Sequence, residues 1–283
     1  MSAPTALSVA GSDPSGGAGI QADLKSFAAR GVYGMAAITA LTVQNTQGVA
    51  DVHLLPPAFV AGQIAAIRAD IRVDAVKIGM IASAAIAEAV ARALEGLEAP
   101  VVLDPVMVAK GGHPLLPPDA VAALAAHLLP RAAVLTPNLP EAAALLGAES
   151  ARSRAEMAAQ AEALLALGPA AVLLKGGHLE GEDSPDLLVT AAGAHWLEAA
   201  RTPTANTHGT GCALSSALAA ELAKGRPLPE AAPAAKAWLS GAIAGADALA
   251  IGRGHGPVDH FHALHAGPDP ARRPRPPDQK VPT

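Results

Sequence analysis

Short apolar runs alternate along this chain with longer, alanine-rich stretches whose apolar positions recur at helical spacing. Ala6 to Ala10, Ala36 to Val43, Ala75 to Ile78, Val101 to Leu103, Ala133 to Leu135 and Ala171 to Leu174 have the length and content of buried strands. Each is followed by a loop holding Gly, Pro, Asn or Asp. Helical spacing predicts helices over Ile20 to Ala29, Pro57 to Ala69, Ser83 to Leu97, Pro118 to Leu128, Leu139 to Leu146 and Ser153 to Leu167. A late hairpin, Leu187 to Thr190 with His195 to Glu198, precedes two long helices, Gly211 to Ala223 and Leu228 to Leu249. Strand and helix alternating this often imply an α/β fold with a mainly parallel sheet covered by helices on both faces. No linker divides the pattern and no repeat of solenoid period occurs, which predicts one domain over residues 1–266. Residues 267–283 are rich in Pro and Arg and have no apolar face, the composition of a disordered tail.

Composition narrows the class. With 283 residues, 51% hydrophobic and 16% charged, the chain can bury a sizeable core and is no disordered polymer. Aromatics are only 2%, so Ala, Val, Leu and Ile must build that core. A net charge of -5 argues against nucleic-acid binding, which needs a basic face. The single cysteine, Cys212, excludes an internal disulfide and a cysteine-cluster metal site, and fits a reducing cytoplasm. No apolar run approaches the ~18 residues of a membrane span. The first basic residue is Lys25, so the start lacks the charged region of a signal peptide.

Ligands of open parallel sheets bind beyond the carboxyl ends of the strands. The loops there are Gly11 to Gly19, Gln44 to Gly48, Gly79-Met80, Asp104 to Met107, Thr136 to Asn138 and Lys175 to His178. The strongest signal is Asn206-Thr-His-Gly-Thr-Gly-Cys212, which runs straight into a helical pattern. Glycines around a small polar residue let successive N–H groups converge, and the helix dipole adds positive charge, so Gly209, Thr210 and Gly211 form a candidate anion pocket. An ordinary glycine-rich helix start would carry the same residues. Cys212, in the first turn, is either a dipole-stabilised thiolate or a small apolar residue at a buried helix start.

Asp104 ends an apolar strand, a costly place for a carboxylate unless a cation or donor waits there. With Glu141 it makes a candidate Mg²⁺ shell. Glu141 also stands three residues after Asn138, the spacing of a capping box. Lys175, at a strand end before two glycines, suits a phosphate clamp, with a solvated surface lysine as the alternative. No P-loop sequence occurs, and Gly11 to Gly19 lacks the dinucleotide spacing. Gln44 and Asp23 are candidate base readers, since a carboxamide matches the amine and ring nitrogen of an aminopyrimidine. The histidines, including His53, His113, His127 and the His260-Phe-His262-Ala-Leu-His265 run, show no convincing metal-ligand spacing.

Seven segments together resemble the hydroxymethylpyrimidine/phosphomethylpyrimidine kinases of thiamine synthesis. They are Val9 to Lys25, Val43 to Thr46, Lys77 to Met80, Leu103 to Lys110, Leu135 to Ala142, Leu174 to His178 and Asn206 to Cys212. The resemblance runs from Ala6 to Leu264 and implies a ribokinase-like three-layer α/β/α sandwich. It implies phosphorylation of 4-amino-5-hydroxymethyl-2-methylpyrimidine by ATP, first on the hydroxymethyl oxygen and then on that phosphate. It implies that Gln44 grips the pyrimidine in a pocket made by Gly11, Ala18, Asp23, Met80 and Val106. Gly209, Thr210 and Gly211 would form the anion hole, and Asp104 and Glu141 would organise Mg²⁺. Asn138, Lys175 and Lys236 would meet the ATP phosphates. Most ribokinase-like sugar kinases place an aspartate base where Cys212 stands; this family uses cysteine there, which implies that Cys212 accepts the hydroxyl proton. The family also implies a homodimer. The alternatives are a pyridoxal or pyridoxine kinase, and a non-catalytic ligand-binding protein on the same fold.

Overall fold

A computed structural model describes residues 2–108 and 115–265. The predicted tail at 267–283, the domain end at 266, Lys110 and His113 lie outside the described residues, as does the side chain of His265.

The chain opens with β1 (Thr5–Ala10), every residue of it buried, then α1 (Gly19–Ala29) and β2 (Tyr33–Ile38). A hairpin of β3 (Ala40–Asn45) and β4 (Gly48–Leu54) follows. Next come α2 (Pro57–Asp70), β5 (Ala75–Ile78), α3 (Ala84–Ala93), β6 (Val101–Leu103), α4 (Pro118–His127), β7 (Val134–Leu135), α5 (Leu139–Leu146), α6 (Arg154–Leu165) and β8 (Ala171–Lys175). The chain continues through β9 (Asp186–Thr190), β10 (Gly193–Leu197), α7 (Thr210–Ala223) and α8 (Leu228–Ala244). Eight strands form one sheet in the order β10-β9-β8-β7-β6-β5-β1-β2, with every pairing parallel except the two that β9 makes, to β8 and to β10.

Side-chain alternation sorts each strand between two helical layers. Leu7, Val9, Val76, Ile78, Val172 and Leu174 point into the core beneath α2 to α6. Ala6, Ala75, Ala171 and Leu173 face the layer of α1, α7 and α8. That second layer is built almost wholly from small residues, Ala213, Ala217, Ala220, Ala231 and Ala235 among them. Small side chains on both surfaces let α7 lie close to β1, β5 and β6. The alanine excess therefore has a structural use on this face.

Two predicted elements differ. The apolar run Ala36 to Val43 is not one strand: it breaks at Thr39 into β2 and β3. Thr39 is buried, its N–H donating to Ala10 O (3.0 Å) and its hydroxyl to Met80 O (2.6 Å), which turns the chain out of the sheet. Beyond it, Leu41 and Val43 are exposed, so their apolarity does not report burial in the sheet. The last helix stops at Ala244 rather than Leu249, and a short 3₁₀ turn covers Ala246 to Leu249.

The C-terminal segment returns along α8, with Asp259 N–H donating to Ala242 O (2.9 Å) and His260 beside Trp238. His260 is buried and its Nε2 has no hydrogen-bond partner among the described residues. Burial pulls its imidazole down to about 4; Lys25 adds to the effect and Asp259 opposes it. Between about pH 6.5 and 4 the unfolded chain takes up a proton that the folded protein refuses, so stability should fall as pH falls through that window. Urea unfolding at stepped pH should show a shallower loss in His260→Gln; identical slopes in the two proteins would refute this source of acid sensitivity.

Candidate active site

The predicted strand-end loops converge at the carboxyl edge of the sheet around a cavity of about 570 Å³. Gly209, the residue before α7, has φ +80, and a Cβ there would stand 1.8 Å from Gly17 O. The turn that starts α7 is thus seated directly on the loop that follows β1. Gly209 to Cys212 line the cavity, and the first N–H groups of a helix have no acceptors within it.

Asp13 fastens these two loops together. Its carboxylate accepts from Ser15 N (2.9 Å), Ser15 Oγ (2.7 Å), Gly17 N (3.2 Å) and Ala18 N (2.8 Å), and lies 2.8 Å from His208 Nε2. Burial opposes its ionisation, but the bonds from His208 and Ser15 prevail and bring its carboxyl down to about 2. Gln44, on β3, faces the same space, its Nε2 3.4 Å from His208 Nε2. Thr42, two residues earlier, donates its hydroxyl to Ser12 O (2.8 Å) and draws the hairpin over the loop.

A charged floor lies directly against the start of α7, where a Cβ at Gly211 would stand 3.3 Å from Lys175 Nζ and 3.6 Å from Asp104 Oδ2. Asp104, 1% exposed, holds Lys175 Nζ at 2.9 Å and accepts from Ser215 Oγ at 3.2 Å. The donor that its strand-end position demanded is thus Lys175, which is no surface lysine. Glu141 lies 3.8 Å from the same ammonium, and its Oε2 accepts from Asn138 N (2.8 Å) while Asn138 Oδ1 accepts from Glu141 N (2.8 Å). The capping box is real, and it aims the Glu141 carboxylate at Lys175. Burial, reinforced by Asp104 and opposed by Lys175, pushes the Glu141 carboxyl up to about 7. Burial works against the Lys175 ammonium, but Asp104 and Glu141 outweigh it and hold the amine above its usual range.

Gly11, Ala18, Gln44, Met80, Val106, Asp104, Asn138, Glu141, Lys175 and Gly209 to Cys212 all line this one cavity. Two predicted site residues do not. Asp23 sits one layer behind the wall, accepting from Ser8 Oγ (2.5 Å), Ser216 Oγ (2.7 Å) and Lys77 Nζ (2.9 Å to each oxygen). With those donors around it, a fully buried carboxylate is satisfied and turned away from any ligand. Lys236 is also buried, its Nζ 2.8 Å from Asp186 Oδ2 and 2.7 Å from Ser184 O. Asp186 in turn accepts from Gly176 N (3.0 Å), so Lys236 props the turn after Lys175 from behind.

Cys212 faces the cavity without being a thiolate. Burial pushes its thiol up to about 11; Lys77 opposes that shift, and Asp23 and Asp104 add to it. Of the two readings of Cys212, the dipole-stabilised thiolate is therefore overruled by burial. Asp13, His208 and Lys77 also line the cavity, although the motifs that contain them do not by themselves reveal their roles. For Lys77 there was a signal, a lysine within an apolar strand, which requires a buried partner.

A glycine turn at a helix start beside a charged floor, at the open edge of a sheet between two helical layers, is the arrangement expected of a ribokinase-like small-molecule kinase. A solved structure of the same build, an ADP complex of Bacillus subtilis pyridoxal kinase, superposes with a TM-score of 0.86 at 39% identity, covering 94% of this chain and all of that one. The sequence profile of the phosphomethylpyrimidine kinase family matches residues 13–259, and the chain belongs to that family. The hydroxymethylpyrimidine/phosphomethylpyrimidine kinase of Salmonella typhimurium is 56% identical over 259 residues, 91% of this chain and 97% of its relative. A thiamine biosynthesis bifunctional protein of Geobacter sulfurreducens, ThiED, is 50% identical over 91% of this chain, which spans 52% of that longer protein.

Removing the ammonium under Asp23 tests the buried pair. Lys77→Met should destabilise the fold by about 3–5 kcal/mol, because it strands a buried carboxylate. Adding Asp23→Asn should recover part of that loss in urea unfolding; a Lys77→Met protein as stable as the parent would contradict the pairing.

Proposed function

We propose that this protein transfers the γ-phosphoryl group of ATP to the hydroxymethyl oxygen of 4-amino-5-hydroxymethyl-2-methylpyrimidine, then phosphorylates the monophosphate to the diphosphate. One observation carries the reading: the Gly209 turn and Gln44 open onto the same cavity, with the turn packed on the first loop. An anion site and a heterocycle reader then face each other across a gap that a small alcohol fills.

The carboxamide of Gln44 offers the donors and acceptor that an aminopyrimidine edge requires. Met80, Val106 and Ala18 supply the apolar walls that exclude water from the ring. This holds the hydroxymethyl group toward α7, where the Gly209–Gly211 N–H groups stabilise charge on the moving phosphoryl group. Lys175, already desolvated and charged, clamps the nucleotide phosphates, and Asn138 lines the same side. In phosphoryl transfer, positioning and charge stabilisation of this sort carry most of the acceleration.

Asp104 and Glu141 suit Mg²⁺. Two buried carboxylates share a single ammonium; burial, reinforced by Asp104, drives Glu141 toward its neutral form, and a hard cation beside the pair would favour its charged form. Among the described residues no group of three or more His, Cys, Asp or Glu side chains could hold a metal. Mg²⁺ needs no such group, since it keeps its waters and takes one or two carboxylates beside substrate phosphates. Bound there, Mg²⁺ would neutralise phosphate charge.

Cys212 lines the cavity and in this reading takes the hydroxyl proton, although burial keeps it a thiol at neutral pH. Its thiolate fraction grows about tenfold per pH unit below its pKa. Wild-type kcat should therefore rise with pH between about 6 and 9, and Cys212→Ala should be slower and flat. A Cys212→Ala enzyme with wild-type kcat over that range would remove the thiol from the proton path.

Phosphorus NMR of the protein incubated with the pyrimidine alcohol and ATP should show monophosphate giving way to diphosphate. Monophosphate that accumulates without diphosphate would reject the second step. The pyridoxal kinase reading keeps the support of the Bacillus subtilis structure. The ratio of kcat/KM values for the pyrimidine and for pyridoxal decides it, and preference for the pyrimidine is expected.

A further inference from the structure

Residues 251–257, Ile251-Gly-Arg-Gly-His-Gly-Pro257, lie outside the cavity wall and yet hold both of its working sides. On one side they grip the hairpin. Thr46, at the tip between β3 and β4, accepts from Gly254 N through its hydroxyl (3.2 Å). The fit is close: a Cβ at Gly254 would stand 2.0 Å from Thr46 O, and one at Gly252, where φ is +75, would stand 2.2 Å from Thr46 Oγ1. On the other side they hold the anion turn. Gly256 N–H donates to Asn206 Oδ1 (2.9 Å), Gly256 O accepts from His208 N–H (3.1 Å), and His208 and Pro257 form a short parallel bridge.

Gln44 is two residues from Thr46, and Gly209 follows His208. The hairpin is no part of the eight-stranded sheet, so the sheet does not fix its tip. We propose that the strap Gly252–Pro257 is a positioning element for phosphoryl transfer, setting how far the hairpin that carries Gln44 stands from the turn at Gly209. The role rests on the functional reading above, in which Gln44 holds the alcohol and the turn holds the phosphoryl group. Transfer requires the reacting atoms to approach to about 3–3.5 Å, and a misplacement of about 1 Å imposed from a distance can cost roughly 10²-fold. A strap that touches neither ligand has that leverage.

The test uses the full chain. Gly254→Ala drives a methyl group at the backbone of Thr46 and lifts the hairpin tip. It should lower kcat/KM for the pyrimidine alcohol by about 10²-fold and weaken binding of that alcohol in calorimetry, with KM for ATP unchanged. Thr46→Ala, which removes the hydroxyl that accepts from Gly254 N (3.2 Å) and adds no bulk, should show the same selective loss to a smaller extent. A wild-type kcat/KM in Gly254→Ala would overturn the proposal. So would a loss shared equally by both substrates, which marks general damage to the fold, or a Thr46→Ala protein with wild-type kcat/KM for the alcohol. A wild-type protein that does not phosphorylate the alcohol would sink the functional reading and the strap's role with it, whereas an active wild type beside unaffected variants would sink the strap alone.

Discussion

Gly209 rests with its Cα against the carbonyl of Gly17, and no side chain larger than hydrogen fits between them. That approach brings the positive end of α7 to the loop after β1, and it is what makes an anion site of a helix start. It depends in turn on how near α7 can come to the sheet. Ala6 and Ala75 on the strands and Ala213, Ala217 and Ala220 on the helix keep that distance small. Larger residues would hold the helix off, and the turn would not reach the loop.

The same closeness creates an electrostatic problem that two lysines solve. Ser8 and Lys77 point from the sheet into the α1 and α7 layer, where Asp23 and Ser216 meet them. Lys175 does the same for Asp104 at the cavity floor. Each ammonium is desolvated and stays charged because its carboxylate is within hydrogen-bond reach. Charge on the floor is nevertheless uneven: Lys175 serves both Asp104 and Glu141. The site thus has carboxylate in excess on one side and the positive end of a helix on the other, the polarity that the proposed metal–nucleotide complex requires.

Cys212 shows how local and tertiary effects can oppose each other at one residue. Its place in the first turn of α7 favours the thiolate, as does Lys77. Burial and the nearby Asp23 and Asp104 act the other way and prevail. The thiol's chemistry is therefore set by residues scattered from position 23 to position 104, none of them its sequence neighbours.

The order of strands and helices, the parallel sheet and the cavity-lining loops were legible in the chain because apolar period and strand-end punctuation are local properties. The capping box of Asn138 and Glu141 was legible for the same reason, being a contact across three residues. What tertiary structure alone decided is where each polar side chain is used up. Asp23 and Lys236 occur in the right segments yet point into buried partners, Lys77 and Asp186, that lie far away in sequence. Asp13 and His208 became a clamp only when two loops 195 residues apart met. The break at Thr39 likewise follows from acceptors on Ala10 and Met80 that no run of apolar residues reveals. Period and punctuation are written along the chain, whereas the partner of a buried charge is fixed by packing across it.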